Sequence, residues 1–168
     1  DLAHLTAWSK LSSMQDVLIA DEGGEIARTL TSLAAIYKDF AALTVTDAQG
    51  NVVAAAGEAQ RSANLAADEG FRNAASGRIH QSAFGLQTGM LKETVSFAVP
   101  LIARHDGQTV IGTLSGVLDF AAIVKAVAAP STISAEGNAF VLTKRSGQIV
   151  YASRTDSTLL EAFRSARN

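Results

Sequence analysis

The chain of 168 residues has no cysteine, which excludes disulfides, thiolate chemistry and sulfur-ligated metal sites. It also carries little charge: 18% of its residues are charged, the formal net charge is −2, and Lys and Arg never occur more than two in a row. Such a chain lacks the basic patch that nucleic acids and anionic membrane surfaces attract. Binding to a polyanion is therefore disfavoured.

Uninterrupted apolar segments long enough to cross a membrane are also missing. The most apolar stretch, residues 110–129, contains Asp119 and Lys125, so it predicts a strand followed by a helix. The overall hydrophobic content of 48% is nevertheless ample for a buried core. Because the sequence starts with Asp1 and shows no signal peptide, we interpret it as an excised part of a longer protein.

Motifs that carry catalysis or metal binding are not found. The three histidines, His4, His80 and His105, fall in a predicted helix, strand and turn and lack the spacing of zinc ligands. There is no nucleophile elbow or dinucleotide-binding motif, and residues 85–89 (GLQTG) lack the lysine and the context of a phosphate-binding loop. The sequence therefore predicts no catalytic residue, no metal and no cofactor.

One pattern occurs twice. Residues 42–55 (ALTVTDAQGNVVAA) and 139–152 (AFVLTKRSGQIVYA) each contain an apolar run, a polar turn with Gly50 or Gly147, and a second apolar run. Each copy predicts a β-hairpin, because glycine readily adopts the positive φ of a short turn. Only residues 153–168 follow the second copy. The chain therefore looks like one complete module plus a truncated or rudimentary second one.

Residues 1–39 have the periodicity of a long helix with a single apolar stripe. The adjacent glycines Gly23 and Gly24 predict a kink or break, because together they cost about 2 kcal/mol relative to alanine. Trp8 and Met14 lie on the stripe, where they could form a dimer seam or pack onto the domain's own sheet. The stripe consists of Leu2, Leu5, Trp8, Leu11, Met14, Leu18, Ile26, Leu30, Leu33 and Ile36.

The remaining patterns predict an α+β fold with a central antiparallel sheet. Val95, Phe97, Val99 and Leu101 alternate along one predicted strand and share one of its faces. The predicted elements after the first hairpin are a helix at 65–75 that ends at Gly77, strands at 78–86, 93–103 and 109–120 with a turn at 105–108, a helix at 121–129, the second hairpin, and a helix from residue 157.

Four segments in this order resemble the Cache family of extracytoplasmic sensor domains, whose fold is PAS-like. They are LTVTDAQGNVV (43–53), FRNAASG (71–77), VSFAVPL (95–101) and IGTLSGVLDF (111–120). The resemblance covers about residues 28–128 and fits the membrane-distal module of a double-Cache receptor. It implies a signalling helix at 1–39, a PAS-like Cache module at 40–130, and a rudimentary or truncated second module at 131–168.

The resemblance also implies a site for a small molecule between the sheet and the helix that follows the first hairpin. Arg72 or Arg78 would clamp a carboxylate and Asp119 would accept an ammonium group. The aromatic pair that amino-acid sensors of the family carry after the arginine is missing, which favours a small organic anion, or no ligand, over an amino acid. The residues implied are Phe71, Arg72, Arg78, His80, Ser82, Phe84, Ser96, Phe97 and Asp119.

Each of these residues also has a structural interpretation. Arg72 could form a surface ion pair with Asp68 or Glu69, and Asp119 could cap the helix predicted at residue 121. His80 is more often structural at such a position, and the phenylalanines are more often core residues than pocket walls. Both interpretations remain open at this stage.

Three hypotheses on function follow. The first is the periplasmic sensor of a bacterial chemotaxis transducer, histidine kinase or diguanylate cyclase, which binds a small molecule, dimerises and signals through the long helix. The second is a ligand-free interaction or dimerisation module of such a receptor. The third is a cytosolic PAS-like or profilin-like domain of an enzyme. The resemblance favours the first, with transmembrane helices outside this chain and no catalytic activity within it.

Overall fold

The computed structural model of the chain forms two compact units, Asp1–Phe120 and Ala121–Asn168. It describes residues 2–59, 63–82, 85–86, 93–120, 141–143 and 149–152. The helices predicted at 121–129 and from residue 157 lie outside these residues. None of the helices in the described part of the chain has the length and hydropathy that a membrane span requires.

The N-terminal region contains short helical segments, and the prediction of one long helix is wrong. Its segments are α1 (Leu2–Trp8), a 3-10 helix (Ser12–Ile19) and α2 (Glu25–Ile36). Ala20, Asp21 and Gly24 have φ values of 53°, 54° and 69° between the last two segments. Left-handed backbone conformations end a right-handed helix. The chain therefore reverses here, and the segments pack against the sheet.

Asp21 connects the 3-10 helix to α2 by capping the start of α2. Its carboxylate accepts hydrogen bonds from the backbone N–H of Ile26 (2.8 Å) and of Ala27 (2.9 Å). The side chain is buried, with 9% of its surface exposed. Since the first N–H groups of a helix have no partner within the helix, this carboxylate satisfies two of them.

Replacing Asp21 with alanine is expected to lower the free energy of unfolding by about 1–2 kcal/mol, because it removes the cap and puts alanine at a positive φ. Asp21→Asn is the matched control, since asparagine keeps an acceptor oxygen and tolerates the left-handed region. Urea unfolding of both variants tests this. Equal losses in the two variants would contradict the role of the cap geometry and point to the charge.

The larger unit is built on an antiparallel sheet, which confirms the predicted α+β class. The strands follow the order β2-β1-β6-β5-β3, and β4 pairs with another part of β5. A helix, α3 (Glu69–Ala75), lies between β2 and β3 in the sequence. The strands are β1 (Phe40–Asp47), β2 (Val52–Gly57), β3 (His80–Gln81), β4 (Gly85–Leu86), β5 (Glu93–Ile102) and β6 (Val110–Asp119).

One face of this sheet, here called the core face, is covered by the N-terminal segments. The Trp8 ring of α1 lies 5.4 Å from the Phe40 ring of β1, and Val17 of the 3-10 helix lies over Gly112 of β6. Trp8 and Met14 are buried inside the unit, so they pack onto the domain's own sheet. The buried core-face strand residues include Phe40, Leu43, Val45, Phe97, Val99, Leu101, Leu114 and Leu118.

Both hairpins predicted from the repeated pattern are present. In the first, Gly50 has a φ of 86°, and Asp47 accepts hydrogen bonds from the N–H groups of Gln49 and Asn51. In the second, β7 (Val141–Thr143) pairs antiparallel with β8 (Ile149–Ala152).

The turn between β5 and β6 is also where the sequence predicts it. There, the hydrogen bonds from the Gln108 N–H and from Thr109 hold the pKa of Asp106 well below its usual value.

Candidate functional site

The sheet's other face, here called the α3 face, differs from the core face in its side chains. Gly70 of α3 packs closely here, because a Cβ atom built on it would lie 3.5 Å from the Ala98 Cβ and 3.4 Å from the His80 ring. In an antiparallel sheet, directly paired residues point to the same face. Ala98 pairs with Ser115 and with His80, so these three residues share the α3 face.

The three central strands place small and hydroxyl-bearing residues on the α3 face. Thr46 and Thr113 are buried, and their hydroxyl groups are hydrogen-bonded to each other at 2.8 Å. Asp119 is the only carboxylate that the described strands place on this face, and it lies opposite Thr94. The hydroxyl residues of this face are Thr44, Thr46, Thr94, Ser96, Thr113 and Ser115.

The helix α3 begins at a capped N-terminus and buries one side. The Asp68 carboxylate accepts a hydrogen bond from the Phe71 N–H at 3.0 Å, as expected for an aspartate at the N-cap. Gly70, Phe71 and Ala74 are buried, so this side of the helix packs inward. Phe71 thus lies on the buried side of the helix.

Arg72 is exposed and lies on the opposite side of α3 from Gly70 and Ala74. Among the described residues, its guanidinium has no carboxylate partner within 4.0 Å. The expected ion pair with Asp68 or Glu69 is therefore not formed. An arginine on the outer side of the helix is also poorly placed to clamp a carboxylate between the helix and the sheet.

Arg78 and His80 both contact Asn73 at the end of α3. The Asn73 Oδ1 accepts a hydrogen bond from Arg78 at 3.0 Å, and the Asn73 Nδ2 lies 3.2 Å from the His80 Nδ1. An amide nitrogen donates, so this contact is a hydrogen bond in the His80 tautomer whose Nδ1 is the acceptor. Arg78 and His80 thus connect the end of α3 to β3.

Ser82 and Ser96 extend the pairing between β3 and β5. The Ser82 N–H donates to the Ser96 carbonyl at 2.8 Å, and the Ser96 N–H donates to the Ser82 hydroxyl at 2.9 Å. The side chain of Ser96 is half-buried on the α3 face. Ser82 therefore has a structural role at the sheet edge, whereas the Ser96 hydroxyl faces the predicted site.

Phe97 is separated from the other predicted residues by the sheet. It pairs with Gly116 on the core face, and it lines a shallow cleft beside α1 together with Leu2 and Thr6. The structure therefore does not bring Phe97 together with Phe71, Ser96 or Asp119. Phe84, the remaining predicted residue, lies outside the described residues.

A second cleft lies at the free edge of β5 and has a volume of about 480 Å³. Its lining includes Lys10 after α1, Ile79 before β3, and Arg104 after β5. Of the residues that the sequence suggests for ligand binding, none that the structure describes lines it. The two clefts therefore lie apart from the polar α3 face.

Sequence reasoning missed the hydroxyl residues of the α3 face, although the sequence carries a signal for them. Threonine or serine alternates with an apolar residue in three strands, as in 43–46 (LTVT), 94–97 (TVSF) and 113–115 (TLS). A period of two places all the apolar residues on one face and all the hydroxyl residues on the other. The hydroxyl half of this alternation is therefore the sequence signal for the α3 face.

No family model and no curated protein matches this chain. Several solved structures share its fold. The sensor domain of Escherichia coli DcuS has 19% identity and a TM-score of 0.60, over 75% of this chain and 90% of that one. The ligand-binding domain of the Campylobacter jejuni chemoreceptor Tlp3 in complex with L-valine has 15% identity and a TM-score of 0.61, over 97% and 68%.

An extracellular domain of a histidine kinase, vpHK1S-Z8, has 16% identity and a TM-score of 0.67, and the match covers 93% of this chain and 62% of that one. The resemblance to Cache sensor domains is thus confirmed at the level of the fold. The first of these three structures is a sensor domain, the second is the ligand-binding domain of a chemoreceptor, and the third is an extracellular domain of a histidine kinase. The fold by itself does not determine function, which has to be argued from the site.

Proposed function

We propose that this chain is the extracytoplasmic sensor domain of a bacterial transmembrane receptor, and that it binds a small amine on its α3 face. The observation that carries the proposal is the difference between the two faces of the sheet. Large apolar residues fill the core face, whereas hydroxyl groups and the Asp119 carboxylate line the α3 face. Ligand sites combine apolar walls with a few polar groups that fix the ligand's orientation.

The charges on the α3 face favour an amine over the organic anion that the sequence alone suggested. Asp119 is half-buried on this face, while Arg72 is exposed on the outer side of α3 and Arg78 is held by Asn73. A partly buried carboxylate binds a protonated amine more strongly than a solvated one does, because the local dielectric is lower.

The same geometry supports a direction of signalling. The N-terminal segments lie on the core face, where α1 contacts β5 and the 3-10 helix contacts β1 and β6. We propose that a ligand on the α3 face acts on these segments through the sheet, and that they pass the change toward the membrane. The activity of the receptor would then reside in a separate output domain, with no catalysis in this one.

Calorimetric titration of the purified domain tests the proposal with four probes. L-Serine and L-valine carry both an amine and a carboxylate, putrescine carries amines alone, and succinate carries carboxylates alone. We expect binding of amine-bearing probes and none of succinate. Binding of succinate alone would contradict the assignment of an amine. Absence of binding by every probe would favour the alternative, a ligand-free dimerisation module.

Replacing Asp119 with asparagine is expected to weaken the binding of the amine probes at least tenfold, because the substitution removes the counter-ion with little change in shape. Asp16→Asn is the control, since Asp16 lies in the 3-10 helix on the core side and its loss changes the net charge by the same amount. Titration of both variants separates a local effect from one of overall charge. Equal weakening in the two variants would contradict the role of Asp119.

A further inference from the structure

Thr94 is a fully buried residue whose hydroxyl group has no hydrogen-bond partner among the described residues. Buried polar groups in native proteins are nearly always paired, since an unpaired one gives up its hydrogen bonds to water without replacement. Valine has the same shape as threonine without this cost. A threonine at this position therefore requires an explanation other than packing.

Thr46 and Thr113 show how the protein treats other buried hydroxyl groups on the α3 face. These two threonines are also buried on the α3 face, and their hydroxyl groups are bonded to each other at 2.8 Å. The fold thus satisfies buried hydroxyl groups on this face where it uses them for its own structure. The Thr94 hydroxyl differs from them because the described protein offers it nothing.

The position of Thr94 indicates what would satisfy its hydroxyl. Thr94 of β5 pairs directly with Asp119 of β6, so both side chains leave the sheet on the α3 face as cross-strand neighbours. The Cβ atoms of such neighbours are about 5 Å apart. A carboxylate and a hydroxyl at this spacing match a protonated amine that has an oxygen atom on a neighbouring carbon.

We propose that the Thr94 hydroxyl binds the ligand, and that it selects amines that carry such an oxygen, as in amino acids and amino alcohols, over simple alkylamines. This inference rests on the proposed function, in which Asp119 holds the amine. Thr94 then hydrogen-bonds the neighbouring oxygen. A site built to pair a ligand's polar group rejects a ligand that lacks it, because its own group stays unpaired.

Thr94→Val tests the proposal by two readouts, thermal unfolding without ligand and calorimetric titration with L-serine and putrescine. We expect the midpoint of unfolding to stay the same or rise, because the lost hydroxyl has no hydrogen-bond partner among the described residues. We also expect the affinity for L-serine to fall at least fivefold and that for putrescine to stay within twofold. Thr94→Ser, which keeps a hydroxyl group, should retain most of the affinity for L-serine.

Thr113→Val is the stability control, since it removes a hydroxyl that is bonded to Thr46 and should lower the midpoint. A similar fall in Thr94→Val would overturn the proposal without any ligand, because it would show a partner within the protein. Unchanged L-serine binding in Thr94→Val would overturn it too, and would leave the proposed function intact. If Asp119→Asn binds normally while Thr94→Val does not, the assignment of Asp119 fails and that of Thr94 is supported. No binding of any probe to the unsubstituted domain would overturn both.

Discussion

Replacing Leu114 with alanine is expected to lower the free energy of unfolding by about 3 kcal/mol. Leu114 lies in the middle of β6, has no exposed surface, and pairs with Val45 and Val99 on the core face. Truncating a fully buried leucine removes its transfer free energy and leaves a cavity. Urea unfolding, followed by the fluorescence of the single tryptophan, buried Trp8 on the same face, measures the loss.

Ser115→Ala is the matched control for Leu114→Ala, because Ser115 is the next residue of β6 and points to the α3 face. Its hydroxyl makes one long contact, 3.5 Å, to the Thr44 carbonyl. Its removal should therefore change the free energy of unfolding by less than about 0.5 kcal/mol. Similar losses in the two variants would contradict the division of the sheet into a core face and a polar face.

Most of the sheet could be predicted from local patterns in the sequence. The alternation of Val95, Phe97, Val99 and Leu101 predicted β5 together with its core-facing side, and both are confirmed. The first hairpin was predictable because Gly50 marks its turn. These features depend on residues close together in the chain, which is the information that a single sequence carries most clearly.

The N-terminal region was not predictable in the same way. A 3-10 helix and an α-helix give similar apolar spacings, so the stripe from Leu2 to Ile36 could not distinguish three segments from one. The break depends on Asp21, whose carboxylate reaches forward to the N–H groups of Ile26 and Ala27. Gly23 and Gly24 indicated a break, but the reversal of the chain is set by packing on the sheet.

The candidate site could be predicted only in part, because it depends on which face each strand residue occupies. Ser96 and Phe97 are neighbours in the chain and therefore point to opposite faces of β5, so no single pocket could use both side chains. Arg72 was selected by its place in the sequence, whereas its exposure depends on how α3 lies on the sheet. Thr94 could not be identified as a ligand-binding residue from the sequence, because only the structure shows that its buried hydroxyl has no hydrogen-bond partner among the described residues.

Gly112→Ala is expected to lower the free energy of unfolding by about 3 kcal/mol, because the close pairing of β1 and β6 leaves no room for a side chain. A Cβ atom at Gly112 would collide with the backbone carbonyl oxygen of Thr46 and lie 3.2 Å from Val17. The Thr46 carbonyl oxygen cannot move aside unless β1 and β6 separate, so the substitution strains the pairing of the two strands.

Gly23→Ala is the control, since nothing lies within 4 Å of its Cβ position, and it should be neutral or slightly stabilising. Circular dichroism during urea unfolding measures both variants. A neutral effect of Gly112→Ala would mean that β1 and β6 can separate at little cost, and a sheet that separates so easily could not transmit a change from the α3 face to the N-terminal segments.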